Sequence, residues 1–149
     1  MKKLIASIVF IFITLSLSSC TNNTKKTVYF TSEFSGYIYD SKTKLPLKNA
    51  VGFIQVNGVV SYPNTKLDEN GRFFVPAKKE DYYTQRPSIK NYLNTSGDLF
   101  FSFPNYQTQR IEYADLYVKQ VPEERAGFDH LNKIDLGIIY LDRTKEVNE

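Results

Sequence analysis

The chain has no tryptophan, one histidine and one cysteine, and its seven glycines are scattered. Each scarcity removes a class of function. A zinc site draws on several His, Cys or carboxylate ligands at short spacing, and His130 has none beside it at such spacing. A Ser-His-Asp triad would need a nucleophile elbow for that histidine to serve, and the sequence offers none, so His130 is expected as a surface or capping residue. One cysteine cannot make a disulfide within the chain. No glycine-rich run is present to cradle a phosphate. A membrane-spanning helix needs about 20 apolar residues, whereas the apolar stretch Leu4 to Leu17 has 14 and is diluted by Ser and Thr.

Adjacent carboxylates do occur, at Asp68-Glu69, Glu80-Asp81 and Glu123-Glu124. Neighbours on a strand point to opposite faces, and a glycosidase pair must converge to about 5–10 Å. These pairs therefore read as solvated loop charges. Asp68-Glu69-Asn70-Gly71 lacks the ligand ladder and closing Glu of a calcium loop and reads as a turn. No catalytic residue, metal or cofactor is expected, and the chain is not read as an enzyme.

The first residues have a different character. Met1-Lys2-Lys3 precedes the apolar stretch, and small residues lead up to Cys20. That is the layout of a secretory leader over residues 1–19. Leu17-Ser18-Ser19-Cys20 also resembles a bacterial lipobox, which implies that Cys20 carries a covalent lipid and becomes the mature N-terminus. Thr21 follows, rather than the Asp associated with retention in the inner membrane. The resemblance therefore implies a lipid-anchored envelope protein, on the outer membrane facing the periplasm. The leader takes two of the 19 basic residues with it, leaving 17 against 16 acidic. The sequence pI of 8.8 is thus no sign of a nucleic-acid surface.

Residues 20–33 read as the lipidated N-terminus and a flexible tether. Thr21 to Ser32 is polar, and its 12 residues would span about 40 Å when extended. Residues 34–141 read as one β-domain, and 142–149 as a charged, frayed tail. Seven strands are expected within the domain. Phe34, Gly36 and Ile38 share a face of the first, and Ile54 and Val56 point inward from the second. Asn57-Gly58 between apolar runs marks a hairpin. The strand after it meets Pro63 and must be an edge or broken there. Gly52 leaves room for a close neighbour. Phe73 and Val75 face inward next, then Leu99, Phe101 and Phe103, then Ile111 and Tyr113, and the last strand runs from Ile134 to Leu141. Ile54, Phe73, Val75, Phe101 and Leu136 are expected in one core.

Two stretches fit no strand pattern. Ala77 to Gly97 carries Lys78-Lys79-Glu80-Asp81 and Tyr82-Tyr83, with one helical turn expected near Ser88 to Leu93. Ala114 to Lys133 is expected as a short strand at Asp115 to Val118 followed by loop. Loops this long are uncommon in a compact domain unless functional.

The spacing Gly36-x-Ile38-x-Asp40, then Pro46-Leu47-x-x-Ala50, then Thr65-x-x-Asp68-x-Asn70-Gly71-x-Phe73-x-Val75 resembles the carboxypeptidase regulatory-like domain. Phe103-Pro104-Asn105-Tyr106 is similar to that family's Gly-Tyr corner, with Asn105 in the glycine position. The resemblance implies an all-β fold, a transthyretin-like antiparallel sandwich of about seven strands.

Eleven Tyr and eleven Phe supply flat, amphipathic contact area. If the strands alternate simply, the Asn57-Gly58 turn, both long stretches and the start of the first strand share one end. Loops on a rigid scaffold carry most binding sites. Tyr82, Tyr83, Tyr92 and Phe128 are therefore the candidate partner-binding surface. The expected role is a module that binds or scaffolds another envelope protein. The alternative is a glycan-binding lipoprotein using the loop tyrosines, with Asn91 and Asp81 beside them.

Overall fold

The computed structural model describes residues 24–93 and 97–144. The expected leader over residues 1–19, the expected lipid attachment at Cys20 and residues 145–149 of the expected tail lie outside the described residues. Alternating apolar residues build two sheets that face each other. One holds three strands in the order β5 (Arg72–Val75), β2 (Glu33–Asp40), β9 (Lys133–Leu141). The other holds four, in the order β4 (Val60–Lys66), β3 (Val51–Val56), β7 (Asp98–Ser102), β8 (Gln109–Glu112). Every pairing is antiparallel except β2 with β9, which is parallel. The fold is an all-β sandwich, as expected.

The core lies where the inward faces meet. Phe34, Ile38, Phe73, Val75 and Ile134 from the first sheet join Ile54, Val56, Leu99 and Phe101 from the second. Phe73 and Phe101 meet edge to face across the layers, with ring centroids 5.2 Å apart. Leu136 packs on this cluster while staying partly exposed. The space at Gly52 is filled by the Phe103 ring; a Cβ there would lie 2.4 Å from Phe103 Cδ1.

The turns follow their local chemistry. Asn57 and Gly58 take φ of 53° and 69°, the paired left-handed geometry that a two-residue hairpin favours. Asn105 adopts φ 68°, so the amide residue occupies the left-handed position that glycine would fill. Pro63 lies in edge strand β4, inside the irregularity opposite Gly52 to Ile54, where no ladder donor is required.

The sequence reading needs four corrections. The described residues form nine strands rather than seven. Residues 26–33, read as tether, are folded: β1 (Lys26–Tyr29) pairs antiparallel with β6 (Lys79–Tyr82), and Val28 and Phe30 are buried. Val28 and Phe30 are two apart, so one face of this short strand is apolar enough to dock. The strand expected at Asp115 to Val118 is a helix, α2 (Ala114–Gln120), after the single-turn α1 (Lys90–Leu93). Tyr113, Leu116, Tyr117 and Val121 recur at helical spacing, and all four pack on the core. Finally, the start of the tail is tied down. Gln107 N–H donates to the Asp142 carbonyl at 2.8 Å and Thr144 N–H to the Asn105 carbonyl at 3.0 Å.

Gln120 also closes part of the β9 edge. Its side-chain amide donates to the Asp135 carbonyl and accepts from the Asp135 N–H, both at 2.8 Å. It thereby satisfies backbone groups that an edge strand otherwise leaves open. Among the described residues, no helix is long and apolar enough to cross a membrane.

Candidate functional site

The sandwich has two unlike ends. At one, β2 starts, β3 hands over to β4, and the segments before β7 and β9 arrive. Hydrogen bonds join them: Tyr113 Oη to Asn57 Oδ1 at 2.8 Å, Tyr113 N to the Gly97 carbonyl at 2.7 Å, and Glu33 N to the Asn132 carbonyl at 2.8 Å. The β1–β6 ribbon sits at the same end, with Tyr29 N–H donating to the Phe128 carbonyl and Phe30 N–H to the Lys78 carbonyl.

Between these pieces lies a cavity of about 380 Å³, within the usual range of ligand pockets. Tyr29, Tyr92, Tyr117 and Phe128 line it, together with Asn57 and Asn132. No Asp, Glu, Lys or Arg does. Phe30 and Tyr92 stack with centroids 4.6 Å apart, which fixes α1 against β1. Tyr117 Oη accepts from Gly127 N–H at 3.2 Å and from Asn132 Nδ2 at 3.1 Å. Asn132 Nδ2 also donates to the Arg125 carbonyl at 3.1 Å. The loop before β9 is thus hung on a tyrosine of α2. Burial pushes the Tyr113 hydroxyl above its ordinary pKa, with the Asn57 contact opposing that shift. Tyr113 is therefore a neutral donor at physiological pH.

The sequence candidates divide. Tyr92 and Phe128 both line the cavity. Tyr82 lies in a separate shallow hollow with Lys26, Arg86 and Asp129. Tyr83, just past β6, is 59% exposed and lines neither. Neighbours along an extended strand diverge, so the Tyr82-Tyr83 pair is not one plane. Asp81 is held by Lys25 at 2.7 Å and by the Thr27 hydroxyl at 2.7 Å. The hydrogen bond from Lys25 leads in lowering its pKa. Asp81 and Glu80 therefore belong to strand β6, not to a loop.

Sequence reasoning missed Tyr29, Asn57, Tyr117 and Asn132 as cavity residues. Helical periodicity around Tyr117 was the available signal. Tyr29 was hidden by the polar stretch before it. His130 lines the cavity and is exposed. Among the described residues, no group of three or more His, Cys, Asp or Glu could hold a metal ion.

The opposite end is built from short turns around a buried carboxylate. Asp40 Oδ1 accepts from the N–H groups of Lys42 and Thr43 at 2.9 and 2.8 Å. Its Oδ2 accepts from Tyr106 Oη at 3.0 Å and Arg143 Nε at 2.6 Å. The Thr43 N–H, then Arg143, hold the Asp40 carboxyl well below the usual carboxylate range. Ser41 Oγ donates to the Asp142 carboxylate beside them.

Neither a scan against protein-family models nor a search of curated proteins finds a match to this chain.

Proposed function

We propose that this chain is a non-catalytic, lipid-anchored protein of the cell envelope, whose β-sandwich binds another envelope protein at its long-loop end. The sandwich is of the carboxypeptidase regulatory-like kind on this reading. The Asp40 turn, the Asp68 to Gly71 turn and the left-handed Asn105 support it, since each falls where the quoted motif requires a turn. The observation that carries the functional reading is the uncharged, aromatic-lined cavity formed where both long loops meet. An acyl-transfer or hydrolytic site would need a nucleophile hydrogen-bonded to a base. Thr31, Ser32 and His130 line the cavity, and the hydrogen bonds among the described residues include none from a lining hydroxyl to His130.

Anchoring at Cys20 would place this end against the bilayer. Because β1 is docked, only five residues lie between Cys20 and Lys26, a reach of about 20 Å. The 12-residue tether expected from sequence would have let the domain swing further. Two or more acyl chains on the cysteine would give stable membrane attachment, where one chain is marginal.

A photo-crosslinking residue placed at Phe128 in the anchored protein tests this reading, with one at Glu69 as the opposite-end control. The expected result is a discrete envelope protein captured from Phe128, not from Glu69, and lost in Cys20→Ser. Equal capture from both positions, or a Cys20→Ser protein that still fractionates with membranes at mature size, would overturn it.

A further inference from the structure

The cavity at the long-loop end has polar groups with open valence as well as flat rings. Tyr117 Oη accepts two hydrogen bonds, and its own proton has no acceptor among the described residues. Asn132 spends both amide hydrogens inside the protein, while its Oδ1 accepts none among the described residues. Asn132 is only 6% exposed, so this acceptor faces little but the cavity. Asn57 Oδ1 is occupied by Tyr113, which leaves the Asn57 amide hydrogens free among the described residues. Donors and an acceptor therefore converge with Tyr29 and Phe128 rings in a chamber that no Asp, Glu, Lys or Arg lines, with the exposed His130 at its edge.

That combination discriminates between ligand classes. A cation would be desolvated without a countercharge, and an anion would find only the exposed His130. An acyl chain would leave the Asn132 acceptor and the Tyr117 proton buried and unsatisfied. An extended peptide would need an open strand edge, but β1 is bonded to β6 along one edge and gives Tyr29 N–H to Phe128 on the other. A pyranose ring meets every requirement: neutral, with apolar faces for aromatic planes and hydroxyls that both donate and accept.

We infer that the cavity between β1, α2 and the loop before β9 binds one or two residues of a neutral saccharide. The inference rests on the proposal that the long-loop end is the binding end, and it names glycan as what that end takes up. A partner protein would then be held through its sugar or beside it.

The test is titration of the full-length mature protein in detergent with maltohexaose, chitohexaose and cellohexaose, and with polygalacturonate as an acidic comparator. The chain has no tryptophan and eleven tyrosines, so tyrosine emission reports occupancy directly. The expected result is saturable binding of at least one neutral oligosaccharide. Phe128→Ala should weaken it at least tenfold, and Tyr117→Phe should weaken it severalfold with melting temperature checked alongside. Phe128 is the more secure variant, since its backbone carbonyl, which holds β1, is retained. Binding that persists in both Phe128→Ala and Tyr29→Ala would overturn the site, and preference for polygalacturonate would overturn the class. If no neutral oligosaccharide binds while Phe128 still crosslinks an envelope protein, the saccharide inference fails and the binding-end proposal survives. If neither occurs, both fail.

Discussion

The two ends of this sandwich solve the same problem with different proportions of charged and neutral groups. Each must close a stack of strands without leaving buried polar groups unpaired. The short-turn end does it with charge: Asp40 collects two backbone N–H groups, a tyrosine hydroxyl and an arginine. The long-loop end uses one buried carboxylate, Asp98, gripped by Arg110 at 2.8 and 2.9 Å. Its remaining links are neutral groups of Asn57, Tyr113, Tyr117 and the loop before β9, and they leave some valence open at Tyr117 and Asn132 among the described residues. A saturated carboxylate hub fixes geometry and has nothing left to offer a ligand. A network of hydroxyls and amides with spare donors and acceptors can rearrange its hydrogen bonds around a guest. The difference teaches where binding capacity sits: in incompletely used neutral polar groups beside rings, not in the strongest interactions of the fold.

Both ends depend on one core, and the largest expected effect comes from weakening it. Phe73 is fully buried between the sheets against Phe101. Phe73→Ala should cost about 3–5 kcal/mol, a large part of the stability of an ordinary domain. Urea unfolding should show one transition, with hydrogen exchange rising at both ends together. If protection around Tyr106 survives while β1 is lost, the two ends are separate foldons. A loss under about 1 kcal/mol would mean that Phe73 does not join the layers.

The carboxylate hub should give the short-turn end a pH signature of its own. Asp40 is held well below the usual carboxylate range by the Thr43 N–H and by Arg143. The stabilisation is therefore fully present above the ordinary aspartate pKa of about 3.9. It is lost as pH falls below that value toward the lowered folded-state value. Asp40→Asn removes the charge while keeping the shape. It should lower the melting temperature at pH 7, and the gap from the parent should narrow steadily below about pH 4. A constant gap from pH 7 to pH 2 would show that Asp40 contributes through packing and not through its charge.

The same contrast explains what could be read from the sequence. The short-turn end was legible because its signals are local. Asp40, Asp68 to Gly71 and Pro104-Asn105 each define a turn within a few residues, and the strands between them alternate cleanly. Even so, the partners of Asp40 lie 66 and 103 positions away, so the turn was visible and the hub was not. The long-loop end is assembled from segments far apart in sequence. β6, Lys-Glu-Asp-Tyr, buries none of its residues; it is a strand because β1 pairs with it, and no periodicity in its own residues announces that. β1 had a signal in the alternation of Val28 and Phe30, obscured by the polar residues before it. Asp115 to Val118, within α2, is only four residues long, a window too short to separate strand from helix by period. Tyr92 and Phe128 could be placed at one end by counting strand reversals. Tyr117 and Asn132 could not, because their roles depend on a hydrogen bond between a helix and a loop.

The smallest expected effect separates the cavity from its rim. Sequence reasoning grouped Tyr82 and Tyr83 with Tyr92 and Phe128, whereas Tyr82 occupies a neighbouring hollow and Tyr83 projects outward. Exposed substitutions away from buried networks usually change stability by less than about 0.5 kcal/mol, so the Tyr82→Ala, Tyr83→Ala double variant should melt with the parent. Backbone pairing of β6 with β1 does not need either ring, since Lys26 and Tyr82 are register partners through the main chain. If binding is confined to the cavity, this double variant should retain ligand and envelope-partner capture within about threefold, about 0.7 kcal/mol. Phe128→Ala should lose most of it. Should the double variant lose capture as fully as Phe128→Ala at unchanged melting temperature, the binding surface runs from the cavity across Asp129 to Tyr82. The four aromatic residues would then act as one face, and the long-loop end would bind a broad surface and not a single inserted group.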